Sequence, residues 1–242
     1  MKRRLTVLGV VIVIGLLAAF VAYRWLLPRF SDSRSNSNPV IERWFTDVTS
    51  RHTLTTSMNR NTCPGAPFSL PSDGLIGLLW RDSAAPYTIF NPHTGIDVFG
   101  DGAVGTVPVY AAYDGLLSRR SDWLSSVIIK HDDPLQAGRT IWTYYTHMAT
   151  QDGSHSFVAS TFPPGTSDVP VKRGDLLGYQ GEYAGVGRPP IGMHVHMSIV
   201  TSEDDGTFMN EAIIGNTLDP SPYFGMQLNI ADLPARPIQC KS

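Results

Sequence analysis

From Met193 to Thr201 the chain alternates with period two: Met193, Val195, Met197 and Ile199 fall on one parity, and His194, His196 and Ser198 on the other. That is the pattern of a half-buried β-strand, with an apolar face for a core and a polar face opposite. Two imidazoles spaced this way stand roughly 6–7 Å apart on a rigid support. Such a pair suits a metal ligand with a catalytic neighbour. It equally suits a polar strand face that happens to carry two histidines. The strand alone leaves both readings open.

The remainder of the chain between about residues 62 and 225 has the same β character. Short apolar runs predict strands at Ile89–Phe90, Val107–Ala112, Gly115–Ser118, Ser126–Lys130, Thr140–Thr146, Asp175–Gln180 and Met193–Thr201. Turn signals such as Tyr113-Asp114-Gly115 and Lys172-Arg173-Gly174-Asp175 separate them. Short strands with frequent turns predict a mainly β, antiparallel sheet or sandwich domain. Nothing divides it into two, and a length of roughly 160–180 residues supports one core. A polar excursion, Ala149–Pro170, interrupts the pattern and is expected to wall a substrate groove. Residues 39–60 predict a short helix with an unclean period.

Upstream, Met1-Lys2-Arg3-Arg4 precedes an uncharged run of 19 residues, Leu5–Tyr23. Such a run can span the roughly 30 Å core of a bilayer, and the basic head favours a cytoplasmic N-terminus. The run is long for a signal peptide and ends without a small-residue cleavage site. An uncleaved transmembrane anchor is therefore preferred to a cleaved signal. Either one exports the rest of the chain. The expected organisation is a basic head at 1–4, an anchor or signal at 5–27, a linker or stalk at 28–61 and one domain at 62–242. Beyond residue 34 the chain holds 13 basic and 20 acidic residues, which argues against nucleic acid as a partner. The two cysteines, Cys63 and Cys240, bracket the exported domain. In an oxidising compartment a disulfide between them would join its ends.

A second polar cluster lies upstream. Asn91-Pro92-His93-Thr94-Gly95-Ile96-Asp97-Val98 presents an imidazole and a carboxylate, with Gly95 permitting a turn between them. His147 ends Trp142-Thr143-Tyr144-Tyr145-Thr146-His147, where period two places it on one face with Thr143 and Tyr145. Hydrolytic zinc takes three N/O protein ligands and keeps one open position. Two histidines and Asp97 meet that count, leaving two histidines as base and electrostatic stabiliser. Spacing does not say whether His194 or His196 is the ligand. Tyr145 is a weaker candidate for stabilising an oxyanion. His131, at a strand end, is expected to be structural, and His52 and His155 to lie on the surface.

This order of residues resembles the lysostaphin/LytM-type zinc metallopeptidases, which cut peptidoglycan peptides. Their opening motif resembles His93-Thr94-Gly95-Ile96-Asp97 followed by Pro108-Val109-Tyr110-Ala111-Ala112-Tyr113-Asp114-Gly115. Val171-Lys172-Arg173-Gly174-Asp175-Leu176-Leu177-Gly178, Gly192-Met193-His194-Val195-His196-Met197 and Asp219-Pro220 resemble later ones. The resemblance implies a β-sheet core (the duplicated hybrid motif fold) with a loop-walled groove. It implies one zinc per chain held by His93, Asp97 and His196, with His147 and His194 catalytic. It also implies a peptidoglycan peptide as substrate. The chain departs from the family pattern at Ser198, where a carboxylate is common, and in the larger, charged loop Gly181–Pro190. Two other functions compete with a membrane-anchored endopeptidase: a non-catalytic murein-binding regulator, and a peptidase for secreted proteins.

Overall fold

The apolar parity of Val195, Met197 and Ile199 recurs in the strands on either side, and that shared parity builds the central sheet. In a computed structural model, which describes residues 37–57 and 61–241 together with Gly15, Leu17, Ala19, Phe20 and Val21, nine strands form two sheets. They are β1 (Leu75–Ile76), β2 (Ile96–Phe99), β3 (Pro108–Tyr110), β4 (Gly115–Ser118), β5 (Val127–Asp132), β6 (Thr140–Thr146), β7 (Val169–Val171), β8 (Leu176–Tyr179) and β9 (Val195–Thr201). Seven of them form one antiparallel sheet in the order β1-β2-β9-β6-β5-β4-β7, while β3 and β8 pair separately.

One face of the large sheet is the core. Ile96 and Val98 of β2, Val195 and Met197 of β9, and Ile141 and Tyr145 of β6 are all fully enclosed there. Val109 and Leu177 of the small sheet pack into the same cluster, with Phe68, Tyr223 and Phe224. Each large apolar side chain so buried contributes about 1.5–3 kcal/mol. The opposite face is divided. Near one edge it carries Asp97, Thr146, His196 and Ser198, and further across it holds a smaller cluster of Ile128, Trp142 and Val200 against Trp123, Tyr144 and Phe208.

Several expectations change. Ile89 and Phe90 are not a strand but the exposed turn of a small loop closed by a Thr88–Asn91 bridge. The polar excursion Ala149–Pro170 is fastened to the domain. Val158 and Phe162 enter the core, and buried Arg119 donates to the carbonyls of Trp123, Phe162 and Leu124 and to Ser156 Oγ. Its end becomes β7, where Pro170 is tolerated because the strand is the sheet's edge. The expected stalk at 28–61 is docked from residue 37 onward, as helices α1 (Ser37–Thr46) and α2 (Arg51–Leu54). Trp44 and Leu54 bury themselves against Leu75 and Phe99. Cys63 and Cys240 form a disulfide across 177 residues of sequence. The expected head at 1–4 and nearly all of the expected anchor at 5–27 lie outside the described residues, among which no helix is long and apolar enough to cross a membrane.

Candidate metal centre

Pairing register assembles the polar cluster. Asp97 in β2 lies directly across from His196 in β9, and Thr146 of β6 faces His196 from the other side. His93 precedes β2 in a loop held by hydrogen bonds from its N–H to Asp82 O and from Arg81 N–H to its own carbonyl, both 2.8 Å. Gly95 lets that loop lie flat on β9, since a Cβ at this position would sit 2.2 Å from Met197 O. The result is a triangle: His93 Nε2 to Asp97 Oδ1 is 3.0 Å, His196 Nδ1 to Asp97 Oδ1 is 2.9 Å, and His93 Nε2 to His196 Nδ1 is 2.9 Å.

The protonation chemistry of this triangle points to a cation. His93 Nδ1–H donates to Leu79 O at 3.0 Å, so its Nε2 carries a lone pair toward the centre. His196 Nε2 faces the Glu211 carboxylate 3.7 Å away, and a proton kept there leaves Nδ1 to give its lone pair to a cation at the same centre. Asp97 adds an oxygen. All three residues are buried, and their ligand atoms lie within 4.8 Å of one another. The carboxylates favour positive charge at this point, carried by a proton on His196 or by a metal ion in its place, and two imidazoles with one carboxylate are the donors zinc takes. The residues present therefore fit a zinc ion.

Two further imidazoles adjoin this triangle. His194 donates Nδ1–H to Gly192 O at 2.6 Å and stacks on Phe99, with ring centroids 4.8 Å apart. Its Nε2 is 3.7 Å from Asp97 Oδ2. His147 donates Nδ1–H to Tyr183 O at 2.7 Å, and its ring centroid lies 4.6 Å from that of His194 and 6.2 Å from that of His196. Both rings thus keep Nε2 free to accept a proton. The Gly181–Pro190 loop, which departs from the resembled family, supplies the carbonyl that fixes His147.

Burial drives His147 down to about 3, helped by neighbouring His194 and His196. Burial also lowers His194. For His196 burial again works downward, but Asp97 and Glu211 outweigh it and raise the group to about 10. Burial opposes the charge on Asp97, yet the surrounding histidines hold it well below the usual carboxylate range. The net field is that of a negative pocket able to stabilise a cation.

A cavity of about 210 Å³ opens beside the cluster, lined by Tyr87, Asn91, Pro92, Thr94, Thr146, His147, His196, Glu211 and Ala212. These come from residues 87–94, 146–147, 196 and 211–212, and none from Ala149–Pro170. Tyr145 points the other way: it is fully buried, and its hydroxyl accepts from Ala112 N–H at 3.0 Å in the core. Its candidacy for an oxyanion role is thereby removed. His131 is buried between Asp114 O and Thr143 Oγ1, a structural position. Ser198 is also buried, with no hydrogen-bond partner for its hydroxyl. Glu211, which sequence pattern did not single out, belongs to the site. It lies in a loop with no periodicity or motif to mark it.

No family model matches the chain, and no curated protein matches it. Among solved structures it is similar to the antimicrobial peptidase lysostaphin from Staphylococcus simulans, at 20% identity over 55% of this chain and 43% of that one, with a TM-score of 0.35. A putative glycyl-glycine endopeptidase lytM from Ruminococcus gnavus shows 22% identity over 53% of this chain and 44% of that chain, TM-score 0.34. The catalytic domain of the prophage-encoded M23 protein EnpA from Enterococcus faecalis shows 24% identity over 62% of this chain and 94% of that chain, TM-score 0.37. This chain thus spans less than half the length of the first two. Likenesses this distant leave the chemistry of the centre to be argued from its own residues.

Proposed function

We propose that this chain is a zinc metalloendopeptidase that hydrolyses peptide bonds of peptidoglycan crosslinks or bridges, outside the cytoplasm and tethered by a membrane anchor within residues 5–27. The observation that carries the reading is the convergence of His93 Nε2, Asp97 Oδ1 and His196 Nδ1 beside two histidines whose Nε2 atoms are free. The sequence motifs support the substrate class.

Zinc held by His93, Asp97 and His196 supplies Lewis acidity toward a carbonyl oxygen and toward water. The remaining work belongs to the chain. His147, fixed through Nδ1 by Tyr183 O, accepts a proton at Nε2 from the attacking water. His194 is similarly fixed by Gly192 O and has the Asp97 carboxylate 3.7 Å from its Nε2, a counter-ion for its protonated form. In that form it donates to a developing oxyanion or to the leaving amine.

The test uses the full chain in detergent, with elemental analysis for zinc and mass spectrometry of fragments released from purified peptidoglycan. One zinc per chain and peptide-bond cleavage products are expected. Zinc-free protein that leaves peptidoglycan intact would overturn the enzymatic reading. Cleavage of proteins but not of muropeptides would overturn the substrate assignment.

A further inference from the structure

His196 Nε2 is buried and has no hydrogen-bond partner, although the ring must carry its proton there if Nδ1 is to serve as a ligand. A buried donor left unsatisfied is costly, and a carboxylate is the acceptor that removes the cost. Glu211 Oε2 faces this atom at 3.7 Å, the distance of an ion pair rather than a hydrogen bond. The same oxygen accepts from Thr94 Oγ1 at 3.3 Å, and Thr94 adjoins His93. The turn that carries Glu211 is itself fixed, because Ala212 N–H donates to Asn210 Oδ1 and Asn216 Nδ2 to Asn210 O, both 3.0 Å.

Resting on the zinc reading, we propose that Glu211 is a positioning residue for the metal centre. Its carboxylate accepts the Nε2–H of His196, which commits Nδ1 to ligation, and Thr94 holds the carboxylate in place. Carboxylate–histidine–metal relays of this kind fix the imidazole tautomer and raise its basicity as a ligand. Here the carboxylate arrives from a loop beyond β9, while the position two residues after His196 holds the small hydroxyl of Ser198.

The experiment is a zinc titration of the metal-stripped full chain in competition with a chelating dye. Glu211→Ala is expected to weaken zinc binding by about 10–100-fold. Glu211→Gln keeps an accepting oxygen and is expected to recover most of that loss, and Thr94→Val to give a smaller one. The ¹⁵N shifts of the His196 ring in the zinc-loaded protein report the tautomer, which a merely structural role of Glu211 would leave unchanged. Wild-type affinity in Glu211→Ala would overturn the proposal. So would a Gln variant as weak as the Ala variant, because charge rather than hydrogen bonding would then be responsible. Failure of the wild type to bind zinc would instead overturn the metal reading on which the proposal rests.

Discussion

His147 owes its place to a single backbone angle. Strand parity put it on the face of Tyr145, and Tyr145 does lie in the core. The strand ends at Thr146, however, and His147 adopts a φ of +76°, which swings its ring to the opposite face beside His194. A left-handed conformation is uncommon for a residue with a Cβ and is maintained where surrounding contacts over-determine it. Because His147 is outside the ligand triangle, His147→Ala should keep its zinc while turnover falls by about 10²-fold or more. Unchanged turnover would remove it from the mechanism. For His93→Ala, elemental analysis should find the zinc gone. His131 shows the other fate of a histidine here. Burial pushes it down to about 4. The folded protein therefore keeps His131 neutral while the unfolded chain protonates it near 6.5. Its contribution is present in full above about pH 6.5 and is lost as pH falls to about 4, a difference on the order of 3 kcal/mol. Denaturation across that range should show a shallower slope for His131→Gln than for the wild type. Equal slopes would contradict the assignment.

At the scale of elements, the site depends on how closely three strands and one loop approach. β2 and β6 flank β9, so Asp97, His196 and Thr146 form a row across the sheet. The row is completed only because the His93 loop lies against β9 at Gly95, where a methyl group would meet Met197 O at 2.2 Å. Gly95→Ala should therefore lift that loop. A stability loss of about 1–3 kcal/mol by denaturant titration and weaker zinc binding are both expected. Wild-type values for both would show the approach to be unimportant. Several strands were legible in the sequence, and Gly115–Ser118 and Thr140–Thr146 coincide with β4 and β6. Their period is a local property that neighbours do not alter. β1 and β7, of two and three residues, are too short to show a period. They are strands because a partner edge is there to pair with. The segment Ala149–Pro170 reads as a polar excursion, yet Val158, Phe162 and the buried Arg119 beneath it hold it down.

At the scale of the molecule, the two ends of the domain are fastened to each other. The Cys63–Cys240 bridge closes 177 residues, and α1 docks through Trp44 beside Phe99, the ring that stacks on His194. Replacing both cysteines with serine should lower stability by about 2–5 kcal/mol. Calorimetry under oxidising conditions checks this, and an unchanged melting temperature would mean the bridge contributes nothing. The mainly β class was legible in the sequence, because a period of two is imposed by any strand on its own side chains, and His93, Asp97, His147, His194 and His196 were picked out by residue type together with the motif resemblance. Tertiary structure decided the rest. Strand register places Asp97 across from His196 rather than His194, and so brings His196 and not His194 into the triangle with His93. A left-handed residue turns His147 around, and a loop from beyond β9 brings in Glu211. Each of these depends on contacts between segments far apart in the chain, which a local pattern cannot encode.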